Sequence, residues 1–211
     1  MTQARIACDA SVAGRFLMRL SRFAALTLGL AVAAVAGVAY ACGLEDPSSI
    51  ATRRGALNIA YPESLHVGTA VWQAQLAGRL ARDPLAQRGD LTPEARATLR
   101  LIKANASLGQ LALRMSGAST GPARPNLAIV LLGPVLWSRF EAASGPVRPS
   151  VHVQGPERGD VVVVTDIAVV EAIAGGSLGF AEAIDLGVVR LYGPAQDVAV
   201  ARSWLVDIAP G

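Results

Sequence analysis

The 211-residue chain has little of what most enzyme sites are built from. It holds two histidines, His66 and His152, in different segments, and two cysteines, Cys8 and Cys42. Neither histidine stands at metal-ligand spacing from another His, Cys or acid, so no metal site is expected, and no cofactor. Charged residues are only 17% of the chain, and from Cys42 onward 15 basic residues balance 15 acidic ones. Without a basic stripe interleaved with aromatics, which are only 5% of the chain, nucleic acid is not an expected partner. The run Gly175-Gly176-Ser177-Leu178-Gly179 follows a helical segment and has no Gly-Lys-Ser/Thr after it. It therefore fails the context of both the phosphate loop and the dinucleotide turn and reads as helix punctuation. Ser138 and Ser203 lack the G-x-S-x-G turn of a hydrolase elbow. No catalytic residue is expected. The rival, a hydrolase using Asp160, Asp166 or Glu171, needs two of these acids to face one cavity. Otherwise Asp166 reads as a helix cap and Glu171 as part of a solvated helix face.

What the chain does have is apolar residues, 52% of it, enough for a sizeable core. The longest apolar run, Phe23–Gly43, follows Arg5, Arg15, Arg19 and Arg22 and ends in small residues. That is the three-part form of a secretory signal, with Ala39-Tyr40-Ala41 placing cleavage after Ala41. A second start at Met18 begins a tidier signal. The run is also about the ~20 residues a membrane-spanning helix needs, so an uncleaved anchor is a serious rival. Both readings send residues 44–211 out of the cytoplasm, to a bacterial periplasm or beyond. Cys42 is then the one cysteine of the exported part and has no internal disulfide partner. Directly after the cleavage point it resembles the acceptor of a bacterial lipoprotein, although Ala39 stands where that pattern favours leucine. Lipidation there fixes the protein to a membrane.

The remainder divides into 44–91, a tether and leading helix, and 92–211, a folded domain. Residues 43–63 read as an irregular tether with some local order. Over 65–80, Val67, Val71, Ala74 and Leu76 recur at helical spacing beside Trp72. Thr92-Pro93-Glu94 opens a second helix, with Ala95, Leu99, Ile102, Ala106 and Leu113 as its apolar face. Strands are expected over 127–133, 135–142, 150–154, 161–164 and 188–192, the first four as an antiparallel meander because their connections are short. The alternation Val151-His152-Val153 suggests a wetter face, and Val161–Val164 a strand covered on both sides. Helices follow at 167–174, with Thr165 or Asp166 as cap, at 177–186 from Ser177, and at 195–206, with Val198, Ala201, Leu205 and Ile208 on one side.

The stretch VVVVTDIAVVEAIAGGSLGFAEAIDLGVVRLYGPAQDVAVARSWL, residues 161–205, resembles the C-terminal half of sterol-carrier-type lipid-transfer domains. The matching positions are Thr165, Asp166, Gly176, Ala183, Gly187 and Gly193. Gly193-Pro194 departs from the Gly-Asp common in the family, and 43–91 has no counterpart in it. The resemblance implies an α+β fold, with a five-stranded, mostly antiparallel sheet, helices on one face, and an apolar tunnel between them. Here the N-terminal signal or anchor helix and an extra helix precede that domain. The apolar residues offered to such a cavity are Ile129, Leu131, Trp137, Phe140, Val170, Ile173, Phe180, Ile184 and Trp204, with the last helix, 195–207, as gate. The implied function is binding of a lipid or other hydrophobic small molecule by an exported, membrane-associated protein. The alternative is a non-catalytic structural or interaction module with a filled core, docking a protein partner through helices 65–83 and 93–115.

Overall fold

The computed structural model describes residues 47–117, 124–142 and 145–208, all within the compact unit Asp46–Gly211. The apolar run 23–43 and Cys42 lie outside the described residues. No helix among those described is long and apolar enough to cross a membrane.

Two helices come first, α1 (Pro47–Ala60) and α2 (Ser64–Leu76). The expected tether is thus helical over most of its length: Pro47 begins α1 and Pro62 follows it, a good helix-starting position and a natural stop. A 3-10 turn at Pro84–Gln87 leads to α3 (Pro93–Gly117), where the Thr92 hydroxyl accepts the Ala95 amide at 3.2 Å. Four strands follow, β1 (Leu127–Leu131), β2 (Leu136–Glu141), β3 (Arg148–Val153) and β4 (Val161–Thr165). Then come α4 (Ile167–Ala174), α5 (Phe180–Asp185), β5 (Arg190–Tyr192) and α6 (Ala195–Val206). The α+β fold with a five-stranded, mostly antiparallel sheet is present.

The strand order is β3-β2-β1-β4-β5. β1–β2, β2–β3 and β4–β5 are antiparallel, whereas β1–β4 is parallel. The meander therefore ends at β3. Residues 154–160 carry the chain past β2 and β1 to the far side of β1, a crossover that an extended seven-residue connection can span. Its landing is pinned to the sheet. Arg139 of β2 reaches Asp160 at 3.0 Å and Glu157 at 3.0 Å, and the Asp160 carboxylate accepts the Glu157 amide at 2.9 Å.

Strand registers divide the side chains between two faces. Leu127, Ile129, Leu131, Leu136, Ser138, Phe140, Val161 and Val163 share one; Ala128, Val130, Trp137, Arg139, Val162, Val164, Arg190 and Tyr192 share the other. Every residue of β1 and β4 is buried, so both faces are covered, as the unbroken valine run of β4 implies. α3 contacts β3, with α4 packed along α3, and α6 contacts β4 and β5, where Val161 and Val198 both lie beside Gly193. The second face is closed by the leading segment. Tyr61, between α1 and α2, packs its ring against Tyr192 at 5.0 Å and Trp137 at 6.0 Å, Glu63 pairs with Arg190 at 2.9 Å, and α2 contacts β4.

Three local expectations change. The polar His152 is a β-bulge with φ 66°, and the shift puts Val151 and Val153 on opposite faces, so the alternation does not mark a wet face. In α3 the buried face is Ala104, Ser107, Leu108, Leu111, Ala112 and Met115, while Leu99, Ile102, Ala106 and Leu113 are exposed. The cap of α5 is Gly179, and the Ser177 hydroxyl instead donates to the Ala172 carbonyl.

Candidate functional site

A groove of about 640 Å³ opens between α1, α2 and the turn joining β1 to β2. One wall, on α2, is apolar at Leu65, Gly68 and Trp72 with the polar Thr69 among them, and Leu57 and Leu132 add apolar lining. Arg54, Gly133 and Asp166 form a charged end, and Asn58 and Ser64 complete the lining.

The wall exists because α2 carries two apolar stripes. Val67, Val71 and Ala74 face the sheet and are buried. Leu65, Trp72 and Leu76, offset by about two residues and spaced 7 and 4 apart, face away and stay 60%, 59% and 53% exposed. A helix apolar on both sides presents its second stripe to whatever fills the groove.

The polar end is built around Gly133. Its amide donates to Asp166 Oδ2 at 2.9 Å, and its carbonyl accepts from Arg54 Nη2. One residue thus holds an acid and a base beside each other, brought together from α1 and the end of β4. A Cβ at position 133 would stand 3.3 Å from Asp166 Oδ2, a tight contact that would push the carboxylate back by a few tenths of an ångström. Asp166 occupies the N-cap position of α4, but its side chain makes no capping hydrogen bond and turns instead to the β1–β2 turn. Burial raises its pKa above the ordinary carboxylate value; the Gly133, Ala168 and Ile167 amides and the Arg54 charge oppose that rise. Two residues along the same turn, Val135 has φ 50°, a conformation that costs a β-branched residue, and Arg53 holds its carbonyl at 2.6 Å. At Ser64, the hydroxyl donates to Asn58 Oδ1 at 2.6 Å, tying α1 to the start of α2.

The three acids of the hydrolase alternative are held apart. Asp160 is paired with Arg139, Glu171 with Lys103 of α3 at 2.8 Å, and Asp166 with the Gly133 amide. Of the three, Asp166 alone lines the groove. Among the described residues no three His, Cys, Asp or Glu side chains cluster as metal ligands would.

The apolar cavity candidates sit elsewhere. Ile129, Leu131, Phe140, Val170, Ile173, Phe180 and Trp204 are buried and belong, with the partly buried Ile184, to one continuous core. Trp137 is on the opposite face of the sheet, against Tyr61. None of the nine lines the groove. The Trp204 ring is capped by Arg124, 5.0 Å from its centroid, and its Nε1 has no hydrogen-bond partner among the described residues. The groove residues escape a sequence reading because 43–63 has the composition of a tether and because Leu65 and Trp72 lie among the buried Val67 and Val71. The signal that separates them is the phase difference along α2.

No protein-family model matches the chain, and no curated protein sequence matches it. Solved structures do. Sterol carrier protein 2 like 2 from Aedes aegypti is 19% identical, covers 49% of this chain and 97% of its own, and has a TM-score of 0.37. A sterol carrier protein 2 structure is 21% identical over 52% of this chain and 94% of its own, with a TM-score of 0.34. A conserved hypothetical protein from Thermus thermophilus, described as possibly a sterol carrier protein, is 20% identical over 52% of this chain and 82% of its own, with a TM-score of 0.29. The C-terminal half is similar to sterol carrier protein 2. At these identities and TM-scores the likeness carries no residue role. In this sterol-carrier-like half the order of elements agrees with the sequence resemblance over 161–205, while the groove depends on α1 and α2, which precede it.

Proposed function

We propose that this protein is a non-catalytic carrier or receptor that binds a lipid or similar amphiphile in the groove along α2, exported and held at a membrane by its N-terminus. The observation that carries the reading is the groove itself: an apolar wall of Leu57, Leu65, Trp72 and Leu132 leading to a charged end at Arg54 and Asp166. Apolar surface left open on a folded domain is costly in water and is relieved by an apolar ligand. The basic flank and the apolar run Phe23–Gly43 support export and attachment, with Cys42 as the lipidation point. Intact mass of the membrane-extracted protein tests that part. A chain starting at Cys42 and carrying acyl mass supports lipidation, and an unprocessed chain supports the anchor.

Ligand binding is tested by native mass spectrometry of the protein released from membranes in mild detergent. A reproducible bound amphiphile, lost in Trp72→Asp, supports the groove. A ligand retained by that variant but lost in Trp204→Ala would put it beneath α6, where the sequence resemblance leads. No bound species under any condition would overturn the reading.

A second reading, an interaction module, is favoured by the exposed stripe Leu99, Ile102 and Leu113 on α3. Pull-down from detergent extracts, compared between wild type and Ile102→Lys, discriminates it. A partner lost with Ile102→Lys and kept with Trp72→Asp supports docking on α3.

A further inference from the structure

We infer that the polar end of the groove selects amphiphiles with a zwitterionic head, the ammonium at Asp166 and the anionic group at Arg54. This rests on the groove being the binding site and names the class of head it takes.

Charge and hydrogen-bond bookkeeping at Gly133 lead to it. Asp166 Oδ2 accepts the Gly133 amide, and the Ala168 and Ile167 amides also favour the carboxylate; with about four lone-pair sites over its two oxygens it keeps capacity for a further donor. Arg54 spends Nη2 on the Gly133 carbonyl, and a guanidinium has five N–H groups, so donors remain for an anionic oxygen. The acid and the base line the same groove and are bridged by the two backbone groups of one residue. A head with only a negative charge meets Arg54 favourably and Asp166 unfavourably; a head with only a positive charge has the reverse problem. A head carrying both signs satisfies both partners without leaving either charge desolvated and unpaired. The neighbouring Asn58, Ser64 and Thr69 add neutral polar groups, so among the described residues no other charge lines the groove to disturb this balance. The apolar wall beginning at Leu65 and Trp72 then takes the chain attached to the head.

The test uses the purified full-length protein in a nonionic detergent below its micelle concentration. Four probes with one C12 chain are titrated while tryptophan fluorescence is followed, in the wild type and with Trp137→Phe and Trp204→Phe so that Trp72 alone reports: dodecylphosphoethanolamine, dodecyl phosphate, dodecylamine and dodecanol. Free phosphoethanolamine is a fifth probe, without a tail. The zwitterion is expected to bind at least about tenfold more tightly than the singly charged and neutral probes, about 1.4 kcal/mol. Asp166→Asn, which keeps the acceptor for Gly133, is expected to erase its advantage over dodecyl phosphate. Arg54→Gln is expected to erase its advantage over dodecylamine, and Arg54→Lys to retain part of it. Equal affinity for all four heads would overturn the head-group inference and leave the groove reading standing. Binding of none would overturn both. Free phosphoethanolamine binding as tightly as its dodecyl ester would also overturn it, by showing a site for a free zwitterion rather than an amphiphile. Circular dichroism of each variant confirms that the fold is kept; should Asp166→Asn lose it, Asp166→Glu carries the same comparison by displacing the carboxylate.

Discussion

At the scale of single residues, the clearest dependence is on Arg139. It neutralises Asp160, whose side chain is 1% exposed, and also reaches Glu157 and Glu141. Removing it leaves a buried carboxylate without its cation, and Arg139→Ala is expected to cost about 1–3 kcal/mol. Arg139→Lys is expected to recover only part of this, because lysine lacks the planar fork. Urea denaturation of the two variants checks both statements. Gly187 has φ 74°, and a Cβ there would meet Ala70 Cβ at 3.8 Å and Arg190 Nη2 at 3.4 Å. Gly187→Ala is expected to cost about 1–2 kcal/mol through the left-handed backbone alone, read in the same experiment. Asp166 gives a pH signature. Its folded pKa lies above the ordinary 3.8, so the folded state binds more protons than the unfolded one. Its contribution to stability is therefore full at low pH and is lost as pH rises from 3.8 through the raised value. Asp166→Asn is expected to flatten the fall of thermal midpoint as pH rises above the ordinary carboxylate value, relative to wild type.

At the scale of elements, α2 and α3 each carry two apolar stripes, and only one of each faces the core. In α3 this yields a sharp contrast. Leu108→Ala and Leu111→Ala, both at 0–1% exposure, are expected to cost about 2–5 kcal/mol. Ile102→Lys and Leu113→Lys, on the exposed stripe, are expected to stay within about 0.5 kcal/mol of wild type. The reverse result would restore the face read from the sequence. That face was legible as apolar but not as unburied: Ala95, Leu99, Ile102, Ala106 and Leu113 keep helical phase just as well as the buried set. Periodicity states which residues share a side and leaves open which side meets the sheet. The strands were more legible, because apolar runs set off by Gly and Pro turns mark them. Their pairing was not, since local sequence does not report that 154–160 crosses two strands. The bulge at His152 was invisible for a related reason: alternation of polar and apolar residues looks the same with or without an extra residue in the ladder.

At the scale of the whole molecule, the folded unit begins before the sterol-carrier-like half. The second sheet face, with Ala128, Val130, Val162 and Val164 all buried, owes part of its cover to Tyr61 and α2. A fragment of residues 92–211 is expected to expose that face, bind more hydrophobic dye than residues 47–211 do, and aggregate, whereas residues 47–211 remain monomeric. Size-exclusion chromatography with dye binding checks it, and a soluble, dye-free short fragment would count against this role for the leading helices. The same segment makes the candidate site. Thr165-Asp166 was legible as the junction between strand and helix, yet the Asp166 carboxylate points across to Gly133, a contact between residues 33 positions apart that no local motif announces. The most direct measurement of the central claim uses a protein with Trp137→Phe and Trp204→Phe, so that Trp72 is its only tryptophan, titrated with a C12 zwitterionic amphiphile. The account predicts a saturable blue shift of Trp72 emission as the exposed ring is covered. An unchanged Trp72, with the shift appearing instead in a protein whose only tryptophan is Trp204, would contradict it.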